Sequence, residues 1–272
     1  MPVIDREELD FLLRDSMDCG FRGFRVYYQP QVHADSGRLY GAEALARWSC
    51  GRYGLVGPDQ FIPVLEENGY IDRLNRWIFG QAAAQCGKWC EWKSDFHMSV
   101  NLSCRHIGGE ELFGFMDRTI RSLSLSAENF TVELTESWPL YPDSTLGQTI
   151  LALKKTGLQI AMDDFGSGYS SLLALKRFPF DLVKIDRGFV SGMLQDKTQA
   201  AFVPALTSLV HNVGRRVCLE GVETMEEYEA VQKLGIEVLQ GYYFGKPVPA
   251  EVFEDKYLNS ICGGVRSNRN RA

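Results

Sequence analysis

Polar side chains recur along this sequence close to the ends of short apolar runs. They are Glu43, Asn101, Glu133, Glu136, the doublet Asp163-Asp164, Lys184, Asp186, Glu220, Glu223 and Gln240. If the runs are parallel strands of one barrel, their carboxyl-terminal ends meet at a single mouth, where barrel enzymes carry their active sites. Several carboxylates gathered there repel one another strongly in a pocket of low dielectric constant. The spacing therefore predicts a cation-binding site.

The candidate metal ligands are almost all oxygen donors. They are Glu43, Asn101, Glu133, Asp163, Asp164 and Glu220. Hard divalent cations such as Mg²⁺ or Mn²⁺ prefer such ligands, whereas zinc normally recruits histidine or cysteine. The histidines form no spaced pair, and each is interpreted as a surface or loop residue: His33, His97, His106 and His211. If two ions bind, adjacent carboxylates can bridge them at about 3.5–4 Å, so that the pair clamps a phosphate and activates water.

Each of these residues also has a plainer interpretation when it is taken alone. The aspartate doublet could end a strand and begin the glycine-containing turn 165–168. Lys184 could reach the surface from its strand instead of orienting a water or neutralising phosphate charge. Asn101 could cap the following helix, and Gln29 and Gln240 could be ordinary polar strand ends. The agreement among successive strand ends favours a functional site.

Short apolar runs alternate with longer amphipathic segments, which is the α/β pattern. The eight predicted strands are Arg25–Gln29, Tyr40–Ala46, Met98–Leu102, Thr131–Thr135, Gln159–Asp163, Leu182–Ile185, Val217–Glu220 and Val238–Gln240. One predicted helix begins at Pro58 and ends before Gly69. Another ends before Gly214 and carries an apolar stripe made of Phe202, Leu206, Leu209 and Val213.

The connection between the first two strands is too short for a crossover helix, so that pair is predicted to be antiparallel. The other six strands alternate with helices and are predicted to be parallel. The expected fold is an α/β (β/α)8 TIM-like barrel with an antiparallel first strand. It forms a single domain over residues 1–260, followed by a polar carboxyl-terminal tail over 261–272.

Composition narrows the class of protein further. The net charge of −6 argues against a nucleic-acid polymer as the partner. The seven cysteines form no C-x-x-C pair, and Cys86 and Cys90 are spaced as one face of a helix. We interpret them as reduced thiols of a cytoplasmic protein. The sequence shows neither a signal peptide nor a segment long and apolar enough to span a membrane.

Seven motifs, in unbroken order, resemble those of the EAL-domain family of cyclic di-GMP phosphodiesterases. They are YGAEALARW, SVNLS, VELTES, MDDFGSGYSSL, LVKIDRGFV, LEGVET and LQGYYFGKP. The resemblance runs from about Tyr27 to Phe253, which is nearly the whole chain. It implies two Mg²⁺ or Mn²⁺ ions and hydrolysis of cyclic di-GMP to linear pGpG. It also implies a homodimer, and the family often adds a sensor or GGDEF domain in a longer parent protein.

The resemblance also implies a role for each matching residue. One ion would be held by Glu43, Asn101, Glu133 and Asp163, and the second by Asp163, Asp164 and Glu220. Lys184 would contact the attacking water and Glu220 would be the base, although the choice of principal base stays open. Residues expected to position the substrate or the waters are Gln29, Arg47, Asp164, Glu223 and Gln240. Glu136 and Asp186 would support the glycine-containing loop.

Two other functions compete with this prediction. A non-catalytic EAL domain would bind cyclic di-GMP or a protein as a sensor, but such members usually lose a metal ligand, the loop motif or the lysine. A metal-dependent lyase or enolase-like enzyme would also use a barrel mouth. The paired aspartates and the shortage of proton-transfer groups favour water-mediated hydrolysis of a phosphoester instead.

Overall fold

The strands of the computed structural model, which describes residues 4–103, 109–135, 145–166 and 171–259, form one sheet. They are β1 Phe24–His33, β2 Leu39–Cys50, β3 Gly54–Val56, β4 His97–Leu102, β5 Phe130–Thr135, β6 Gln159–Phe165, β7 Leu182–Ile185, β8 Arg216–Leu219 and β9 Val238–Gln240. Because β1 pairs with both β2 and β9, all strands except β3 close into a barrel. The predicted eight-stranded barrel is confirmed.

The first strand runs against its neighbours on both sides. β1 is antiparallel to β2 and to β9, whereas β2 and the later barrel strands pair in parallel. A tight turn joins β1 to β2, in which His33 N–H donates to the Arg38 carbonyl at 2.9 Å. The predicted antiparallel start is therefore confirmed. The sequence reading missed β3, which extends β2 as a hairpin through the pair Cys50 and Gly54.

The helices cover the outside of the barrel. They are α1 Arg6–Asp18, α2 Pro58–Asn68, α3 Ile71–Cys90, α4 Gly109–Ser122, α5 Thr145–Lys155, α6 Ser171–Arg177, α7 Lys197–Asn212, α8 Met225–Val231 and α9 Ala250–Phe253. Both ends of α2 agree with the prediction, since Pro58 opens it and Gly69 follows it with a φ of 80°. A helix that connects two parallel strands packs back onto the sheet that they form.

Most of the predicted apolar stripe of α7 faces away from the barrel, and of its four residues Leu206 alone packs, partly buried, against the core. Phe202, Leu209 and Val213 are 36–44% exposed, while Val203 and Val210 are fully buried. The helix has two apolar stripes, and the one with smaller side chains fits against the closely spaced strands. The larger side chains are left on the outer surface.

The barrel interior has an apolar layer beneath its polar mouth. Tyr40, Ala161, Leu182, Cys218 and Val238 form a buried cluster of their own. Four of them precede a polar candidate by two residues, so strand alternation directs both side chains to the interior. This layer closes the bottom of the pocket in which the polar side chains meet.

Three further sequence-based expectations concern His97, the carboxyl-terminal tail and membrane-spanning segments. His97 is not a loop residue, because it opens β4 and stacks on Tyr40 with ring centroids 4.3 Å apart. The predicted polar tail, 261–272, lies outside the described residues. Within the described part of the chain, none of the helices has the length and apolar character needed to cross a membrane.

Candidate active site

Lys184 lies at the centre of the polar mouth of the barrel. Its Nζ is 2.5 Å from Glu133 Oε2, 2.7 Å from Glu220 Oε1, 3.0 Å from Asp163 Oδ1 and 3.8 Å from Glu43 Oε2. The lysine is 1% exposed. The interpretation of Lys184 as a strand lysine that reaches the surface is therefore wrong.

The strands bring these groups together by position. Asn101 and Glu133 are direct neighbours across β4 and β5, and Lys184 of β7 is two residues beyond the apolar layer. Glu220 follows the last residue of β8. Glu43 differs from the others because it lies in the middle of β2, which continues past the barrel to pair with β3.

The aspartate doublet depends on a bulge in β6. In a regular strand, adjacent side chains point to opposite faces, so Asp163 and Asp164 could not both face the mouth. The pairing of β6 with β7 shifts register between Met162 and Phe165, and Asp164 has a φ of 55°. As a result, one oxygen each from Asp163, Asp164 and Glu220 lie within 4.8 Å of one another. Such a bulge re-aims a side chain beside an active site.

A network of amides fixes the orientation of Glu43. Asn101 Nδ2 donates to Glu43 Oε1 at 2.5 Å, and Gln240 Nε2 donates to Glu43 Oε2 at 2.5 Å. Gln240 Nε2 is also 3.2 Å from Gln29 Oε1, and Gln240 Oε1 accepts from Gln31 at 2.9 Å. Asn101 thus holds Glu43 through its nitrogen, which leaves its amide oxygen available to a cation.

Gln31 was missed by the sequence reading. It is buried at 1% exposure and takes part in the same network as Gln29. A signal for it was present, because residues two apart in a strand share one face.

Burial and crowding raise the pKa values of three acidic groups at the mouth. Burial raises the pKa of Glu133 well above its ordinary value, although Lys184 opposes the shift. Burial likewise raises the pKa of Glu220 to about 7 and that of Asp164 to about 6, and Asp163 adds to both shifts. Burial alone would lower the pKa of Lys184, but the surrounding carboxylates, Asp163 first among them, raise it above its usual range. The upward shifts mean that ionising these carboxyl groups together is unfavourable, because the one lysine among them offsets a single charge.

This donor set fits a hard divalent cation. Oε1 of Glu133 is buried and accepts no hydrogen bond from any described residue. A buried carboxylate oxygen without a partner is costly in a folded protein and is the kind of atom that binds a metal ion. Asp163, Asp164 and Glu220 form an all-oxygen group of their own, in which the three ligand atoms lie within 4.8 Å of one another, and hard divalent cations prefer such donors.

Above these groups lies an open cavity of about 230 Å³. Gln29, Glu223 and Gln240 line it, as do two residues that the sequence reading did not select, Arg187 and Tyr242. Arg187 supplies a positive charge and Tyr242, which is 51% exposed, supplies an aromatic face at the rim. Arg187 follows Asp186 by one position and Tyr242 follows Gln240 by two. The sequence does not reveal that their side chains point into the cavity.

The remaining candidates lie around this cavity or outside the described residues. Arg47 lines a neighbouring apolar cavity of about 250 Å³, which it shares with Asn101. Asp186 accepts from Gly188 N–H at 2.8 Å and so caps the short 3₁₀ turn Arg187–Phe189. Glu136 and most of the glycine-containing loop lie outside the described residues.

The family follows from comparison with known proteins. The EAL domain family matches residues 14–247. This chain belongs to the EAL-domain family. Among curated relatives, the oxygen sensor protein DosP of Escherichia coli (strain K12) is 38% identical over 231 residues, which cover 84% of this chain and 28% of DosP. The bifunctional diguanylate cyclase/cyclic di-GMP phosphodiesterase MucR of Pseudomonas aeruginosa is 36% identical over 250 residues, which cover 90% of this chain and 36% of MucR.

Solved EAL structures share the fold. The PaMucR phosphodiesterase in complex with c-di-GMP superposes with a TM-score of 0.82 at 35% identity, and the match covers 90% of this chain and 99% of that one. The EAL enzyme Bd1971 with cAMP and cyclic-di-GMP bound gives a TM-score of 0.85 at 29% identity, over 94% of this chain and 69% of that one. This EAL-domain chain spans about a third of the length of the curated relatives DosP and MucR.

Proposed function

We propose that this EAL-domain chain hydrolyses cyclic di-GMP to linear pGpG with two divalent cations, Mg²⁺ or Mn²⁺, and so lowers the level of this second messenger in bacterial signalling. The observation that carries the proposal is the buried Lys184 surrounded by four carboxylates at the barrel mouth. The similar PaMucR phosphodiesterase, which binds c-di-GMP, supports the choice of substrate.

In this proposal two groups of residues hold the cations. Glu43, Asn101, Glu133 and Asp163 would bind one ion, while Asp163, Asp164 and Glu220 would bind the other. When bound, the ions lower the pKa of a water and neutralise charge on the phosphate. The amides of Gln29, Gln31 and Gln240 keep Glu43 in one orientation, which fixes the donor set before a substrate arrives.

Lys184 and Glu220 divide the proton chemistry. Because the pKa of Lys184 is raised, its ammonium stays protonated and can orient a water or contact a phosphate oxygen, but cannot accept a proton. Of the four carboxylates around this ammonium, Glu220 has the most exposed side chain, at 19%, and it lines the open cavity. We therefore assign proton acceptance to Glu220, which lies 2.7 Å from the ammonium that would hold the water.

The rim residues would bind the rest of the substrate. Arg187 would face the phosphate charge, and Gln29, Glu223 and Tyr242 would contact the sugar and base from the open cavity. Arg47 would act from the neighbouring cavity, on the side of Asn101. Asp186 fixes the turn that carries Arg187.

The test is hydrolysis of cyclic di-GMP by the purified chain, followed by nucleotide chromatography. Parallel reactions contain Mg²⁺, Mn²⁺ or EDTA, and Glu43→Ala is compared with Glu229→Gln, which changes an exposed carboxylate on α8. We expect metal-dependent pGpG from the wild type and Glu229→Gln, and none from Glu43→Ala or with EDTA. Binding without product would instead indicate a non-catalytic receptor, and the absence of both would exclude this substrate.

We also propose that the chain forms a homodimer through the exposed stripe of α7. Phe202 on this stripe contacts Phe189 at a ring distance of 5.7 Å. Phe189 in turn packs so closely against Gly166 that a Cβ there would lie 2.5 Å from its ring. The stripe is thus linked to the backbone two residues beyond Asp164. Light scattering should give a dimer mass for the wild type and for Leu55→Glu, which alters an exposed leucine on β3, but a monomer mass for Phe202→Glu.

The greater length of the relatives suggests that this barrel acts with an additional domain of the same polypeptide. DosP is named as an oxygen sensor and MucR as a bifunctional enzyme, and each is roughly three to four times as long as the segment matched here. We propose that this barrel acts together with a sensor or GGDEF domain in a longer parent protein.

A further inference from the structure

Two thiols face each other in the last turn of α3. Cys86 Sγ and Cys90 Sγ are 3.8 Å apart and can share one hydrogen bond. Cys86 is fully buried, whereas Cys90 is partly exposed and is the final residue of the helix. Cys90 is therefore the more accessible residue of the pair.

The two sulfurs are close enough to bond after a small local movement. A disulfide needs a sulfur–sulfur distance of about 2.05 Å and Cβ atoms about 3.5–4.5 Å apart. Residues four apart on a helix have Cβ atoms about 5–6 Å apart, so the last turn must contract. Because Cys90 ends α3, its last turn can adjust together with the connection through Glu91, and helix ends open at lower cost than helix interiors.

The surroundings give the two thiols different reactivities. The pKa of Cys90 lies below its ordinary value because the Cys86 S–H can donate to its thiolate, and the nearby Lys93 adds to this effect. The same interaction, together with burial, raises the pKa of Cys86. Thiolate character and access make Cys90 the sulfur that reacts first, and Cys86 is placed to react with it.

We propose that Cys86 and Cys90 form an oxidative modification site that a peroxide converts to an intrahelical disulfide. The Cys90 thiolate attacks a peroxide oxygen, the O–O bond breaks, and the leaving hydroxide takes a proton to become water. Cys90 is then a sulfenic acid, oxidised by two electrons. The Cys86 sulfur attacks the Cys90 sulfur, the S–O bond breaks, and the hydroxide leaves as water with the proton of Cys86. In sum, two thiols and one hydrogen peroxide give one disulfide and two waters.

Formation of the disulfide would change the packing around Trp89. This side chain lies between the two cysteines in sequence, is fully buried, and stacks on Phe253 with ring centroids 4.6 Å apart. Its Nε1 donates to Glu254 at 3.0 Å. A contracted turn would rotate Trp89 relative to these partners, so oxidation should change tryptophan fluorescence as well as mass.

The test is peptide mapping of the full chain after treatment with hydrogen peroxide. Remaining thiols are blocked with iodoacetamide in denaturant, and the protein is digested with trypsin without reductant. Cleavage after Lys88 separates the two cysteines into peptides 77–88 and 89–93. We expect these two peptides to be joined, with a mass lower than their sum by two hydrogens, and to separate on reduction. Recovery of the two peptides as separate species, each with a carbamidomethylated cysteine, would overturn the proposal.

Variants distinguish this pair from general thiol oxidation. Cys19→Ser removes an exposed cysteine and should leave the joined peptides unchanged. In Cys86→Ala, the joined peptides should be absent and Cys90 should react with dimedone as a sulfenic acid. Loss of the joined peptides in Cys19→Ser would refute the pairing. The wild-type map decides the matter by itself if Cys86→Ala does not fold.

Discussion

The two ends of the barrel treat their carboxylates in opposite ways. At the mouth, Glu43, Glu133, Asp163 and Glu220 surround a single lysine, the one cation that the described residues pair with them. At the opposite end, Asp181 and Glu237 each have a basic partner of their own. Lys154 lies 2.5 Å from Asp181, and His211 lies 3.3 Å from Glu237.

At the opposite end, the carboxylates also accept hydrogen bonds from backbone N–H groups near the first residues of two strands. Asp181 accepts from a backbone N–H at the beginning of β6 at 2.9 Å, and Glu237 accepts from one at the beginning of β8 at 2.8 Å. These are satisfied groups that hold the fold together. The mouth instead keeps an unpaired oxygen on Glu133 and an excess of like charge. Such an arrangement costs stability, and a cation can offset that cost.

The largest effect should follow from removing the lysine at the mouth. In EDTA, Lys184→Met should lower the free energy of unfolding by about 3–5 kcal/mol, as expected when a buried charge network loses its partner. Hydrolysis should be lost as well. Denaturant unfolding with and without Mn²⁺ measures this, and the ion should restore part of the stability. An unchanged free energy in EDTA would contradict the excess of charge described above.

Neutralising one acid at the mouth should separate stability from activity. Because burial raises the pKa of Glu133, folding disfavours its ionised form relative to the unfolded chain. Glu133→Gln should therefore raise the melting temperature in EDTA, while reducing hydrolysis by about 10²–10³-fold, the range seen when one electrostatic contact is removed from a catalytic centre. Thermal unfolding and nucleotide chromatography measure the two effects. A lower melting temperature would show that Glu133 is a structural acid.

Removing an acid at the opposite end should give the reverse result. Asp181→Ala loses the Lys154 pair and a backbone hydrogen bond, so we expect a loss of about 1–3 kcal/mol in the free energy of unfolding. Activity per folded molecule should not change, because the residue is at the far end of β7 from Lys184. The same two assays apply. A large fall in turnover by the folded variant would mean that the two ends are coupled.

The effect that is smallest at neutral pH concerns the pH dependence of stability. Burial, with help from Arg216 and Lys93, lowers the pKa of His97 from 6.5 to about 4. Between these values the unfolded chain binds a proton that the folded one does not, so stability is complete above about pH 6.5 and declines as the pH falls toward 4. His97→Phe, which preserves the stacking on Tyr40, should reduce the slope of stability against pH in this window. Equal slopes for both proteins would argue against the buried neutral imidazole.

Much of the fold could be predicted because alternation and connection length are local properties. The barrel strands and the reversed first strand followed from them, and the strand ends then had to converge. β3 was missed because three residues, Gly54–Val56, are too few to show a period. The buried side of α7 was misjudged because both of its stripes are apolar, and only contact with the strands chooses between Val203 and Phe202.

The residue types of the site were predictable, but their directions were not. No sequence pattern reveals that the backbone of Asp164 adopts a positive φ, although both aspartates face the mouth only because of it. Lys184 was chosen for its motif, yet its contacts with carboxylates from four strands depend on the closed barrel. Arg187 and Tyr242 at the rim were not predicted, because both lie after the end of a strand, where strand alternation no longer predicts the direction of a side chain.

The reversed first strand also decides where the chain enters the barrel. In a barrel of parallel strands alone, the polypeptide arrives at the end remote from the substrate. Here Phe24 opens β1 beside Trp48, near the upper end of β2, so α1 connects to the barrel at the substrate's side. The carboxyl-terminal end of α1 therefore joins the barrel beside the rim. A twist or pull transmitted along that helix would reach the entrance directly, without passing through the body of the barrel.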